Sequence, residues 1–179
     1  PCPFCRLIDC GDQPGRAQAV GWNTSPFNVY PAKGRYMVRD VGRVATARGL
    51  PFAMPDAFPA HSLSAARLIT AIDEPAERAR LAGAIFRAEF DGRGVDISSR
   101  DELGRVLEEV GLDPAVIARI DDGAVKQALR SATDEAGSLG IFGAPTFVTE
   151  DGELFWGDDR LEMALAHAAS LARTSSALS

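Results

Sequence analysis

Cysteine is nearly absent from this chain. The three that occur, Cys2, Cys5 and Cys10, are an odd number crowded at one end of 179 residues. That is no disulfide framework, so a reducing compartment and a cytoplasmic location are expected. Histidine is as scarce: His61 and His167 supply too few ligands for a zinc site, and no metal is expected. Lysine is confined to Lys33 and Lys126, and the formal net charge is −6 with no basic stripe, which argues against a nucleic-acid partner. No window approaches the roughly 20 uninterrupted apolar residues of a membrane span. The first residues also lack the basic-then-apolar pattern of a secretory leader. What is present suits a globular protein. At 46% hydrophobic, the chain can build one domain with a sizeable core, or a domain carrying a large insertion.

Most of the chain reads as helix. Pro31 suits the first turn of a helix running to about Gly49, with Tyr36, Met37, Val41, Val44 and Ala45 on one face. Leu50 to Pro55 is a proline-bracketed connector. Ser62 or Ser64 can cap a helix reaching Ile72, and Asp73 with Pro75 starts another carrying Leu81, Ile85, Phe86 and Phe90. Ser99 with Glu102 is a capping-box pattern ahead of Leu103, Val106 and Leu107. Asp113-Pro114 opens a short helix. Asp122 caps the last of the series, which turns Val125, Leu129, Ala132 and Ala136 inward and ends near Gly140. There is no internal repeat, and the tail after Arg173 is small and polar.

Residues 143 to 172 break this pattern and read as strand, hairpin, strand, helix. In Gly143-Ala144-Pro145-Thr146-Phe147-Val148-Thr149 the proline falls at the first residue of a strand, where its missing N–H is tolerated. The Ala144-Pro145 bond is open to either the cis or the trans form. In the cis form the backbone of Ala144 would face a cleft and pair with an extended thiol peptide by strand addition, which needs no particular side chain. Asp151-Gly152 predicts a tight hairpin turn with positive φ at both central residues. Gly157-Asp158-Asp159-Arg160 then opens a helix with Leu161, Leu165, Ala168 and Leu171 inward. Asp158 and Asp159 either complement the helix N-terminus or receive a ligand ammonium at the cleft edge.

Four ordered blocks resemble the kappa-class glutathione transferase and 2-hydroxychromene-2-carboxylate isomerase family, a branch of the DsbA-like thioredoxin superfamily. They are Pro31-Ala32-Lys33-Gly34-Arg35-Tyr36-Met37, His61-Ser62-Leu63-Ser64-Ala65, Phe142-Gly143-Ala144-Pro145-Thr146-Phe147, and Phe155-Trp156-Gly157-Asp158-Asp159-Arg160-Leu161-Glu162. The resemblance runs from about Gly21 to Ala168. It implies an α/β thioredoxin-like (DsbA-like) domain made of residues 23–55 and 136–173, with a large all-helical insertion at 56–135. An atypical segment, 1–22, precedes it and a tail, 174–179, follows.

The same resemblance implies a glutathione site. Lys33 would pair with the carboxylate at the glycine end, a charge-assisted contact. Asn23 would match an asparagine upstream of that lysine, here one residue further away. Ala144, beside Pro145, would bind the cysteinyl backbone, and Asp159 would hold the γ-glutamyl end. Asp158 joins the set at a position where the family more often has a neutral polar residue. The family also opens with a strand, a Ser-Pro-aromatic turn whose serine stabilises the thiolate, a helix and a second strand. Only 22 residues precede Asn23 here. Ser25-Pro26-Phe27 imitates the turn but lies eight residues before Lys33, too close for the strand and helix that should intervene. The opening unit is therefore expected to be missing or replaced, and the catalytic residue is unassigned. Tyr30 and Tyr36 are candidate thiolate stabilisers as phenols near the expected cleft, and His61 is a candidate for the acceptor pocket.

The N-terminal segment stays open to three readings. Cys2-Pro3-Phe4-Cys5 has the spacing of a thioredoxin-type redox pair. Its sequence also resembles the start of histidine-triad hydrolases, although their alternating histidines are absent. The third reading is an altered N-terminus with idle cysteines. The function implied is a glutathione-dependent isomerase of the hydroxychromene-carboxylate type, acting in aromatic-compound breakdown. The alternatives are a kappa-like transferase, a thiol-disulfide oxidoreductase using Cys2 and Cys5, and a non-catalytic binder of thiol peptides. A small aromatic or electrophilic substrate and a second copy in a homodimer are the expected partners.

Overall fold

Among the described residues helices account for most elements, as the 3.6-residue apolar spacing suggests. In chain order they are α1 (Pro31–Ala47), α2 (Leu63–Thr70), α3 (Pro75–Phe90), α4 (Arg100–Glu109), a 3-10 segment (Pro114–Asp121) and α5 (Gly123–Ser138). A hairpin of β1 (Thr146–Val148) and β2 (Leu154–Trp156), a 3-10 turn (Asp158–Arg160) and α6 (Leu161–Ala177) complete the order. This computed structural model describes residues 31–56, 58 and 60–177. The expectations for Cys2, Cys5, Cys10, Asn23, Ser25 and Tyr30 therefore concern positions outside the described residues.

Helices α2 to α4 and the 3-10 segment share one apolar cluster, in which Leu68, Leu81, Leu103, Leu107 and Ile120 are wholly buried. Each such side chain contributes about 1.5–3 kcal/mol over leaving it in water. Two of the expected caps are made, and three starts, those of α2, α3 and α5, differ. Ser62 precedes α2 without a side-chain capping bond. Ser99 accepts from the Glu102 N–H at 3.4 Å and Asp113 from the Ala115 N–H at 2.9 Å, as the sequence suggests. For α3, however, the cap is Glu74 and not Asp73, its carboxylate accepting from the Glu77 N–H at 2.8 Å. Pro75 occupies the first helical position, so the cap must be the residue directly before it. Asp122 stands at the start of α5 without a side-chain capping bond. Phe86 is half exposed instead of facing the core, because Leu81, Ile85 and Ala88 fill the inward stripe of α3.

The hairpin pairs antiparallel, Thr146 opposite Trp156, Phe147 opposite Phe155 and Val148 opposite Leu154. Its turn differs from the expected form. Gly152 alone has positive φ, 86°, and its N–H donates to the Thr149 carbonyl at 2.9 Å. The Thr149 N–H reaches past it to the Glu153 carbonyl at 3.1 Å. The loop thus closes over Thr149 to Glu153, and Asp151, kept at negative φ, turns its side chain to the Thr149 hydroxyl instead. Helix α6 lies on the Phe147/Phe155 face, with the His167 ring 5.5 Å from Phe155. Its buried residue is Ala164, whereas Leu161 and Leu165 are exposed. Among the described residues α6 touches the hairpin and the 3-10 turn, a footprint too narrow to cover the leucines. The same holds for α1: Gly34 and Ala45 are buried, while Tyr36, Val41 and Val44 are exposed.

Candidate functional site

The loop entering β1 is built around proline. The Ala144-Pro145 peptide bond is cis. Thr146, buried at the strand's start, donates its hydroxyl hydrogen to the Gly143 carbonyl at 2.6 Å. The Pro145 carbonyl accepts from the Gly157 N–H at 2.9 Å, which ties the loop to the residue just after β2. Ala144 itself is exposed, and neither its N–H nor its carbonyl has a hydrogen-bond partner among the described residues. Trp156 crosses over this loop so closely that a methyl group on Gly143 would lie 2.6 Å from its indole nitrogen. The indole is more than half exposed and packs at 5.1 Å from the ring of Phe142.

The two aspartates after β2 are held differently. Both oxygens of Asp158 are taken by the guanidinium of Arg48, at 2.7 and 2.5 Å, and this partner holds Arg48 above its ordinary pKa. Arg48 follows the last residue of α1, where the Gly49 N–H donates to Thr46 and the Leu50 N–H to Ala45, closing the helix. Asp159 is 74% exposed, and among the described residues its carboxylate is paired with the neighbouring Arg160, at 2.8 Å. Its side chain folds back over Gly157, where φ is 112° and a Cβ would stand 2.6 Å from Asp159 Oδ1. That backbone conformation is open essentially to glycine alone.

Lys33 is exposed in the first turn of α1. Lys33 and Arg48 thus sit at opposite ends of one helix, roughly 22 Å apart by the 1.5 Å rise per residue. An extended tripeptide spans about 11 Å at most. The remainder would fall to the lysine stem, the aspartate and two hydrogen bonds. An open groove of about 510 Å³ beside α1 is lined by Ala32, Arg35, Val38 and Arg39, and neither Lys33 nor Asp159 lines it. Tyr36 is half exposed with the Arg43 guanidinium over its ring at 5.8 Å, and His61 is exposed. No His, Cys, Asp or Glu cluster fit for a metal occurs among the described residues.

Two arrangements escaped the sequence reading. Arg48 carries no motif, and only the glycine after it marks it as a helix end. At the hairpin turn, His167 Nε2 meets Asp151 Oδ2 at 2.8 Å, joining α6 to the hairpin. The Thr149 hydroxyl and His167 together hold the Asp151 carboxyl down from 3.8 to about 2. No local pattern marks this pair, whose members lie 16 residues apart in different elements. Of the expected site residues, the structure brings Ala144, Pro145, Asp158 and Asp159 into one loop cluster, joined through the Gly157 N–H to the Pro145 carbonyl, and sets Lys33 at the far end of α1 from Arg48.

A family model described as the DSBA-like thioredoxin domain matches residues 13–169. By sequence the chain is similar to glutathione S-transferase kappa 1 of Rattus norvegicus, 26% identical over 152 residues that cover 77% of this chain and 67% of that protein. Among solved structures it is similar to the selenomethionine form of 2-hydroxychromene-2-carboxylate isomerase, with a TM-score of 0.74 and 25% identity, over 92% of this chain and 80% of that one. No helix among the described residues is long and apolar enough to cross a membrane.

Proposed function

Since the chain belongs to the DSBA-like thioredoxin domain family, we propose that it is a glutathione-dependent isomerase of the 2-hydroxychromene-2-carboxylate type. On this reading it serves aromatic catabolism in the cytoplasm as a homodimer, with residues 56–135 as the insertion that shapes the acceptor side. The observation that carries the reading is the exposed peptide group of Ala144, without a hydrogen-bond partner among the described residues, beside the Asp158-Asp159 turn. It occurs in a chain that superposes on such an isomerase over 92% of its length.

The residues suit the tripeptide chemically. Ala144 offers a donor and an acceptor to a cysteinyl backbone, Asp159 offers a carboxylate to an ammonium, and Lys33 offers an ammonium to a carboxylate. Glutathione, when bound, supplies a thiol nucleophile. The protein's part is to hold that ligand lengthwise and to orient the acceptor against it. Calorimetry with glutathione tests the site: Lys33→Ala and Asp159→Ala are each expected to weaken binding about tenfold, the scale of a charge-assisted bond. Unchanged affinity in both variants removes the site. Absorbance-monitored conversion of 2-hydroxychromene-2-carboxylate then tests the reaction.

The likeness to the rat kappa transferase supports a second reading, conjugation of electrophiles at the same site. Thioether formation with an electrophilic acceptor, without turnover of the hydroxychromene, selects it over the first.

A further inference from the structure

We propose that Arg48 is a positioning residue: by gripping Asp158 it fixes the turn that presents Asp159, and Asp158 anchors that turn without touching the ligand. The inference rests on the glutathione reading above and divides the labour between its two aspartates. The Arg48–Asp158 contact is a fork joining residues 110 positions apart, with both carboxylate oxygens engaged. An isolated surface ion pair contributes little, but a two-point arginine fork also fixes orientation. Its origin is firm, because the chain at Arg48 is locked by the bonds that close α1. Its target needs fixing, because Gly157 gives the turn a backbone with no side chain to restrain it. The turn is then tied on two sides, to the Pro145 carbonyl through the Gly157 N–H and to α1 through Asp158. Ala144 and Asp159, which the tripeptide must meet together, are thereby held in one relation.

The alternatives give opposite signs. If Asp158 were itself the ammonium ligand, removing Arg48 would free a carboxylate, delete a nearby positive charge and tighten glutathione binding. If Arg48 positions the turn, removing it weakens binding.

The test is calorimetry of glutathione on the full chain as wild type, Arg48→Ala, Arg48→Lys, Asp158→Asn, the double variant Arg48→Ala with Asp158→Asn, and the exchange Arg48→Asp with Asp158→Arg. Hydrogen exchange at the amides of residues 157–160 is measured alongside. Arg48→Ala and Asp158→Asn are each expected to lose about fivefold in affinity, with the double variant no worse than either, as for partners in one contact. Arg48→Lys recovers part of the loss, since lysine keeps the charge but not the fork. The exchanged pair recovers most of it, and turn amides exchange faster in each single variant. Tighter binding by Arg48→Ala overturns the proposal, as does a loss in Asp158→Asn that Arg48→Ala does not share. Absence of glutathione binding in the wild type fails the functional reading instead. The amides still decide the latch: unchanged exchange in Arg48→Ala overturns it, and faster exchange supports it.

Discussion

The helical unit and the hairpin half of this chain bury themselves very differently. Between residues 65 and 120 fifteen buried side chains form one cluster. Along α1, the hairpin and α6 the buried residues are few and mostly small: Gly34, Ala45, Thr146, Phe147 and Ala164. Tyr36, Val41, Leu161, Met163 and Leu165 are exposed there instead. The difference separates two jobs. The helical unit carries its own packing, whereas among the described residues the hairpin half is tied to its neighbours by a few directed polar contacts. Those contacts are Gly157 to Pro145, Arg48 to Asp158 and His167 to Asp151. The candidate site lies in the second region, where small rearrangements cost least.

Core truncation tests that contrast most harshly. Leu107→Ala, at a wholly buried position, is expected to destabilise the chain by about 2–5 kcal/mol in denaturant unfolding. Leu165→Ala, at a position 61% exposed, is expected to stay within about 0.5 kcal/mol. Equal losses at the two positions would mean that α6 packs as tightly as α4, and the contrast would fall.

Gly157→Ala comes next. The methyl would meet Asp159 at 2.6 Å in a backbone conformation of φ 112° and ψ 149°, so a cost of about 1–3 kcal/mol is expected. Because Asp159 must move, glutathione affinity should fall with stability. A stability loss with affinity intact would detach Asp159 from the site.

These two regions were also unequally legible. The helical unit announced itself through periodicity: Leu103, Val106 and Leu107 repeat on one face, and all three are buried. Its errors were small, a cap displaced from Asp73 to Glu74 and a Phe86 turned outward. In the hairpin half the strands were legible, because Pro145 and Gly152 constrain the backbone locally. The inward faces of α1 and α6 were not. A stripe such as Leu161 and Leu165 says which side is apolar but not whether a neighbour covers it. The contacts that hold the site were less visible still. Arg48 and Asp158 are 110 residues apart, and no local pattern encodes their meeting.

A smaller effect separates the regions by pH. Burial raises the Glu89 carboxyl in α3 above its ordinary pKa, while the Thr149 hydroxyl and His167 lower that of Asp151 from 3.8 to about 2. The signs are opposite. A raised carboxyl disfavours the folded form once the unfolded chain ionises, so the Glu89 penalty grows as pH rises through the usual glutamate range and is relieved on acidification. A lowered carboxyl stabilises the folded form above its unfolded value, so the Asp151 contribution is complete above about pH 4 and is lost as pH falls through about 2. Hydrogen exchange between pH 6 and 2.5, corrected for intrinsic rates, should therefore show α3 becoming better protected on acidification. Residues 149–153 should hold steady to about pH 4 and then loosen. Glu89→Gln should flatten the first trend and Asp151→Asn the second, each leaving the other unchanged. A common slope in both regions would show that they unfold as one cooperative body, whatever their difference in burial.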